Sequence, residues 1–508
     1  MYRKAELAPS PPSDFELPFE GRLSADNRWV KMAELIPWDE FEAEYAENFP
    51  TEIGAPAKSF RMALGALIIK EKLGISDRET VEQIRENPYL QYFIGQSTYS
   101  NELPFDPSLL VHFRHRISAN LINKVNERRV EKLRETTPVK PEKKKDSDAK
   151  NESPNQGKLI IDATCAPADI SYPTDLGLLN RARVHTEKII DILYKSLTVK
   201  IKKKPRTYRK IARKDYLAVA KQRRPTRNKK IQAIKKQLQY IKRNLAHINQ
   251  LIESGATLES LTKKQYKTLL VLTEVYRQQL WLFENNKQSI EDRIVSLSQP
   301  HIRPIIRGKA GKSVEFGAKL SASCFEGYVF LERISWDNFN ESGDLKAQVE
   351  EFKSYTGYYP ESVHADRIYR TRENRAWCKE KGIRISGPPL GRPPANVSKE
   401  TKKQAWEDER VRNSIEGKFG TRKRRFSLNR VMAKLDNTSG TAIAITFLVM
   451  NLSTWLRRVF CVFFCRFPKI RSGYASMIVK NYILVNYKNQ NLCFAELESP
   501  INCDRGFP

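Results

Sequence analysis

The sequence lacks the cysteine spacing of metal-binding and disulfide-rich proteins. Its seven cysteines include no pair in CxxC spacing, which excludes a zinc ribbon and gives no basis for a disulfide framework. This cysteine usage fits a reducing compartment, so we expect a cytoplasmic protein.

The sequence also lacks a clear secretory or membrane-spanning segment. Residues 1–22 are proline-rich and mixed in charge, without the apolar run of a signal peptide. The most apolar stretch, residues 442–464, contains Asn451, Arg457 and Arg458, so it predicts a buried helix more readily than a membrane span. We therefore expect no membrane partner.

A complete nucleotide-binding loop is absent as well. Gly311, Lys312 and Ser313 match the end of a P-loop, but the first glycine of that motif would fall at Ile306. The motif fails, and we expect no nucleotide cofactor.

Acidic residues are scarce relative to basic ones. The 508 residues contain 89 Lys and Arg against 59 Asp and Glu, a formal net charge of +30. Residues 195–243 hold twenty of the basic residues and one acid, Asp215, so this segment alone carries +19. The local excess favours binding to a nucleic-acid backbone, with a solvated charged face as the alternative. The candidate DNA contacts in it are Lys202, Lys203, Lys204, Arg206, Arg209, Lys210, Arg223 and Arg224.

Residues 26–133 have the pattern of a helical domain. An apolar stripe that starts at Phe60 predicts a helix ending at Gly74, and Ser76 with Glu79 predicts the capping box of the next helix. Two helices joined by a short turn have the shape of a helix-turn-helix, so we predict an all-α DNA-binding domain here.

Three segments fall outside the predicted domains. Residues 1–25 form an N-terminal arm, and residues 134–157, rich in Pro, Lys, Asp and Ser, predict a flexible linker. Residues 459–508 form a C-terminal tail of unassigned role.

Residues 158–458 predict an α/β domain with a long helical insertion. Its elements follow the order β, insertion, ββ, α, β, α, β, α, which predicts a mixed sheet with helices. The insertion, residues 187–300, has apolar residues three and four apart from Ile231 onward and again from Tyr266 onward. This spacing predicts an antiparallel coiled-coil hairpin, or else two helices that pack on the α/β domain.

Three acids occupy separate elements of this domain. Asp162 ends the first strand, Asp366 ends the strand after the hairpin, and Glu416 lies on the last helix. A mixed sheet of this order can bring the three carboxylates together. Carboxylate oxygens bind Mg²⁺ or Mn²⁺, and two such ions per site can act on a phosphodiester.

The region around Glu416 has the most specific motif. Arg412 precedes Glu416 by one helical turn and Lys423 follows it, giving Arg-x3-Glu-x6-Lys. The sequence thereby resembles the DDE-type transposases of bacterial insertion sequences, in the division with a Tyr-x2-Arg-x3-Glu-x6-Lys signature. It departs from that signature at Glu409, where the family has Tyr.

The resemblance implies an RNase H-like catalytic domain whose metal ligands and catalytic acids are Asp162, Asp366 and Glu416. It also implies Mg²⁺ or Mn²⁺, two per site, and cleavage of DNA at the terminal inverted repeats. The freed 3′-hydroxyl then joins target DNA, and Arg412 and Lys423 contact phosphates. A homodimer on double-stranded DNA, acting at the bacterial nucleoid, is the expected assembly.

Two other functions share parts of this pattern. A non-catalytic DNA-binding protein, either a repressor or an inactive remnant of an element, would use the helical domain and the basic insertion alone. A structure-selective nuclease would share the metal chemistry and differ only in its product. The presence of all three acids favours catalysis.

Overall fold

The structure is a computed structural model, and it describes most of the chain outside the termini. The described residues are 14–17, 21–49, 56–136, 155–197, 203–309, 312–388 and 398–466. By packing, the chain divides into Met1–Asn451 and Leu452–Pro508, and in the second unit the described residues form the end of one helix. Most of the predicted arm, linker and tail lies outside the described residues.

The N-terminal region is helical, as the sequence predicted. Its helices are α1 (Arg28–Leu35), α2 (Trp38–Ala46), α3 (Phe60–Leu73), α4 (Asp77–Glu86), α5 (Pro88–Phe93), α6 (Leu109–Arg116) and α7 (Ala119–Thr136). Trp38 packs edge-on against both Phe60 and Phe93, with ring centroids 6.5 and 5.7 Å apart. These aromatic contacts join α2, α3 and α5 in one core.

The turn between α3 and α4 confirms the predicted helix ends. Gly74 has φ +70°, the left-handed conformation that glycine adopts at low cost after a helix. Ser76 caps α4, because its Oγ accepts the backbone N–H of Glu79 at 3.2 Å.

The second region contains a mixed sheet. Its strands are β1 (Lys158–Pro167), β2 (Arg303–Lys309), β3 (Lys312–Phe325), β4 (Tyr328–Ser335), β5 (Ser362–Ala365) and β6 (Arg384–Ile385). They lie in the order β2-β3-β1-β5-β6, and β4 also pairs with β3. The β1-β5-β6 pairs are parallel, whereas β3 is antiparallel to β1, β2 and β4.

Strand β2 was missed by the sequence analysis. It runs antiparallel to the first part of β3, where Arg303 pairs with Gly317. On its other side, Gly317 pairs with Pro167 of β1. A Cβ atom at Gly317 would lie 2.1 Å from the carbonyl oxygen of Ala166, so only glycine permits this close approach of β3 to β1.

Four helices fill the insertion between β1 and β2. They are α8 (Asp175–Ser196), α9 (Arg209–Ala220), α10 (Arg227–Glu253) and α11 (Lys263–Glu284). Helices α10 and α11 match the two predicted apolar stripes. Their buried residues share one apolar cluster with α8, a helix that the sequence analysis did not predict. The apolar faces of α10 and α11 therefore pack against α8 as well as against each other.

Buried polar contacts hold α8 against α10. The side chain of Arg183 is 2% exposed and bonds to Gln237 at 3.2 Å and to Glu187 one turn along α8. Asn244 of α10 donates to Thr186 Oγ1 of α8 at 2.9 Å. Because buried polar groups cost free energy unless they are paired, these bonds fix how the two helices align.

The remaining helices complete the fold around the sheet. They are α12 (Leu345–Thr356), α13 (Arg372–Glu380), α14 (Lys399–Arg425) and α15 (Asp436–Arg466). Buried Glu71 of α3 accepts hydrogen bonds from the backbone N–H of Ser427 at 2.9 Å and from Thr446 Oγ1 at 2.7 Å. This carboxylate joins the N-terminal helices to the segment after α14 and to α15.

Among the described residues, one helix is long and apolar enough to cross a membrane. Residues 436–459 of α15 pass that test, and 83% of the apolar window is buried in the protein. Burial of this kind is typical of the core helix of a globular protein, and it agrees with the predicted buried helix.

Glu332 of β4 makes the stability of this fold depend on pH. Burial raises the pKa of its carboxyl from 4.5 to about 7; the Ser323 hydroxyl lowers it, and the nearby charges of Glu351 and Glu127 raise it. Because this pKa is higher in the folded than in the unfolded protein, protonated Glu332 favours the folded state. The contribution is fully present below about pH 4.5 and is lost as the pH rises through about 7.

We therefore expect Glu332→Gln to flatten the pH dependence of unfolding. The wild-type protein loses up to about 3 kcal/mol from this group between the two pKa values, and the glutamine variant does not. Urea unfolding at several pH values between 4.5 and 8 measures the difference between the two proteins. Parallel curves for the two proteins would contradict the assignment.

Candidate active site

Asp162 and Asp366 lie at neighbouring positions where β5 ends. Strands β1 and β5 are parallel, and Ile161 pairs with Ala365. The residue after each partner is an acid, so Asp162 and Asp366 lie at the same level of the sheet, in which adjacent strands are about 5 Å apart. The sequence predicted that Asp162 ends its strand, but β1 continues to Pro167 because its second half pairs with β3.

The two acids differ in their local bonding. Asp162 Oδ1 accepts the backbone N–H of Ala163 at 2.8 Å, and the strand at this point also pairs with Ala322 of β3. Asp366 is exposed, and its Oδ1 accepts the N–H of Arg367 at 2.7 Å as the cap of a short 3₁₀ turn.

Glu416 comes to the same cleft from α14. Ile415 and Phe419 are buried and fix this helix, while the Glu416 side chain is 52% exposed. All three predicted acids line one cleft of about 990 Å³. The other residues that line it include Ala163, Thr164, Ile306, Lys319, Asn338, Phe339, Asn340, Glu341, Ser342, Ile368, Thr371, Phe419, Gly420 and Lys423.

The donor set of this cleft suits a hard divalent cation, because the carboxylates of the three predicted acids and of Glu341 line it. Within the described residues, however, no group of three or more His, Cys, Asp or Glu side chains is close enough to hold a metal ion. The chemistry of the acids therefore fits Mg²⁺ or Mn²⁺, but their side chains are not gathered as a three-ligand site.

Arg412 holds Glu416 and a second acid. Its guanidinium donates to Glu416 Oε1 at 2.7 Å and to the two carboxylate oxygens of Glu409 at 2.6 and 3.2 Å. The hydrogen bonds that Arg412 donates to Glu409 raise the pKa of Arg412 and lower the pKa of Glu409. Arg412 therefore forms an ion pair with Glu416 one helical turn along α14.

Sequence reasoning missed Lys319 of β3. This side chain is 7% exposed and its Nζ contacts the Phe339 carbonyl at 2.7 Å, Glu341 at 2.9 Å and Asn338 at 3.3 Å. These bonds hold residues 338–341 as one wall of the cleft. Lys319 alternates with the apolar residues of β3, a pattern that normally indicates a side chain facing solvent. Here both faces of β3 are covered, so Lys319 is buried.

An ion pair with a buried carboxylate anchors α14 to the sheet. Arg384 of β6 donates to both oxygens of Asp408 on α14, at 2.7 and 2.9 Å. Buried His364 of β5 lies 3.7 Å from Asp408 and 3.0 Å from Ser362 Oγ. Burial raises the pKa of Asp408, but the bonds from Arg384 outweigh it and the net pKa is lowered. The carboxylate thus ties β5, β6 and α14 together.

The basic side chains of the insertion fall into two groups, those that pair with an acid of the fold and those that do not. Arg209 and Lys204 both pair with Asp191 of α8, at 2.8 and 2.6 Å, so part of their charge is used within the fold. The exposed candidates that form no ion pair with another described residue are Lys203, Arg206, Lys210, Arg223 and Arg224. Lys202 lies outside the described residues. None of these residues is among the described residues that line the acidic cleft.

Comparison with known proteins identifies the family. Residues 363–453 match the family model described as "Transposase DDE domain", and residues 17–116 match "Transposase domain (DUF772)". The protein named "Uncharacterized protein ORF8 in nfe locus", from Rhizobium meliloti, is 30% identical over 153 residues, which are 30% of this chain and 68% of that protein. No solved structure matches the chain.

Two separate segments of the chain thus match transposase families, and it belongs to the DDE-type transposases of insertion sequences. The match to the DDE domain includes Asp366, Arg412, Glu416 and Lys423, whereas Asp162 lies outside it. The second match covers most of the helical N-terminal region.

We expect Asp408→Asn to loosen α14. The substitution leaves the Arg384 guanidinium without its carboxylate, at a cost of about 1–2 kcal/mol of unfolding free energy. Urea unfolding measures this loss, and hydrogen exchange should show faster opening in α14 than in α10. Glu407→Gln, at an exposed acid on the same helix, is the matched control and should change neither quantity.

Proposed function

We propose that the protein is a metal-dependent DNA transposase with an RNase H-like catalytic domain. In this proposal it binds the terminal inverted repeats of its element, cleaves DNA and joins the 3′-hydroxyl ends to target DNA. The observation that carries the proposal is the pairing of Ile161 with Ala365, which sets Asp162 beside Asp366 in a cleft that Glu416 also lines.

The strand arrangement supports the fold assignment. In the order β4-β3-β1-β5-β6, β3 is antiparallel to both of its neighbours, so β4, β1, β5 and β6 all run in the same direction. This arrangement supports the mixed sheet that the family resemblance implies. The long helical insertion enters between β1 and β2, so it lengthens the chain without interrupting the β1–β5 pair.

In this proposal each residue has a distinct role. Asp162, Asp366 and Glu416 would hold two Mg²⁺ or Mn²⁺ ions, which when bound activate the attacking hydroxyl and stabilise the leaving oxygen of a phosphodiester. Arg412 and Lys423 would position the phosphates of the cleaved strand by charge. Lys319 keeps the wall formed by residues 338–341 in place, so the cleft stays open to a DNA strand.

The assembly and domain organisation are part of the same proposal. The boundaries 26–133 for the DNA-binding domain and 158–458 for the catalytic domain follow from the sequence patterns. Cleavage at two ends of one element calls for two active sites, so we propose a homodimer on DNA without a nucleotide cofactor. Its place of action would be the bacterial nucleoid.

Cleavage of DNA that flanks this gene tests the catalytic proposal. We expect wild type with Mg²⁺ or Mn²⁺ to nick a labelled duplex at defined ends and to form joined products, and we expect none with EDTA. Asp366→Ala should remove both products, because it deletes a ligand, whereas Glu407→Gln should retain them.

Other results would favour the other functions. Equal DNA binding by wild type and Asp366→Ala without cleavage in any metal would support a non-catalytic binding protein. Metal-dependent nicks without joined products would support a nuclease.

The exposed cations of the insertion give a second test. Each Lys or Arg that neutralises a phosphate contributes about 0.9 to the slope of log affinity against log salt. We expect the double variant Arg223→Ala, Arg224→Ala to bind duplex DNA with a slope smaller by about 2. The matched control is Lys263→Ala, Lys264→Ala, at two exposed lysines of α11. Equal slopes for the two variants would argue against this surface.

A further inference from the structure

Arg412 joins two acids of α14. Its guanidinium forms ion pairs with Glu409 at 2.6 Å and with Glu416 at 2.7 Å. One of these acids is a proposed metal ligand, and the other lies two turns before it on the same helix.

The two acids share Arg412 unequally. Glu409 accepts two of its hydrogen bonds in a bidentate pair, whereas Glu416 accepts one. The Arg412 side chain is 18% exposed, but Glu409 and Glu416 are 53% and 52% exposed. Bidentate pairs are the stronger and more oriented form of this interaction, so Glu409 is the main partner of the guanidinium.

This sharing bears on metal binding at Glu416. A carboxylate that accepts a hydrogen bond from an arginine has to weaken that bond when it coordinates a divalent cation. An ion pair one turn apart on an exposed helix contributes only a few tenths of a kcal/mol, so Glu416 can leave it. The remaining difficulty is the charge of Arg412, which repels a cation if no other acid offsets it.

We propose that Glu409 is a positioning residue for metal binding: it retains Arg412 when Glu416 turns toward the metal. The inference rests on the proposed function, since it assumes that Glu416 is a ligand.

Position 409 departs from the family signature. Glu409 stands where the resembled signature has Tyr, three residues before Arg412. A tyrosine hydroxyl is neutral, whereas Glu409 accepts two hydrogen bonds along one edge of the Arg412 guanidinium and offsets its charge. In this chain the negative charge that offsets Arg412 therefore lies on α14 itself, at Glu409.

Direct Mn²⁺ binding to the full-length protein tests the inference without an activity assay. The electron paramagnetic resonance signal of free Mn²⁺ gives the Kd of each variant. We expect Glu409→Gln to weaken binding about fivefold, the equivalent of about 1 kcal/mol. Glu407→Gln removes the same charge from the same helix, and Glu407 forms no ion pair with another described residue, so its Kd should change less than about twofold.

A double-variant cycle separates the route through Arg412 from a general charge effect. In an Arg412→Gln background, Glu409→Gln should have no larger effect than Glu407→Gln. Glu409→Asp should keep most of the wild-type affinity, and circular dichroism of each variant checks that it folds.

Two results would overturn the inference in different ways. If Glu409→Gln and Glu407→Gln have equal effects, or if the effect of Glu409→Gln persists without Arg412, Glu409 does not act through Arg412. If Glu416→Gln leaves Mn²⁺ binding unchanged, the metal site of the proposed function fails, and the role of Glu409 fails with it.

Discussion

The parallel pairing of β1 with β5 is the constraint on which the candidate site depends. Ile161 and Ala365 are partners, so the acid after each falls at the same level of neighbouring strands, although Asp162 and Asp366 are 204 residues apart in sequence. A slip of one residue in this pairing would turn one acid to the other face of the sheet. The long insertion must therefore return the chain to the same register.

The third acid depends on how α14 is held. Arg384 and Asp408 fix this helix to the sheet two turns before Glu416, and Glu71 holds the segment that follows the helix. These contacts come from β6 and from α3, far apart in the chain. Since the position of Glu416 follows from both, the N-terminal helices and the sheet share in building one cleft.

Charge balance is the second theme of the site. Like charges at short range destabilise a fold unless cations offset them. Here Arg412 forms ion pairs with Glu409 and Glu416, so part of the negative charge of α14 is offset within the same helix. The net charge of +30 resides mainly elsewhere, in the basic insertion, and it leaves the cleft itself acidic.

The sequence by itself determined the helices and strands with strong periodicity, the capped turn at Gly74 and Ser76, and the three acids together with the family that their spacing resembles. Tertiary structure alone decided that β2 pairs beside β3, that α8 joins α10 and α11, that Lys319 is buried and that Glu409 shares Arg412 with Glu416. The reason is physical: periodicity records which face of an element is apolar, whereas pairing and ion-pair sharing depend on groups that distant segments bring together.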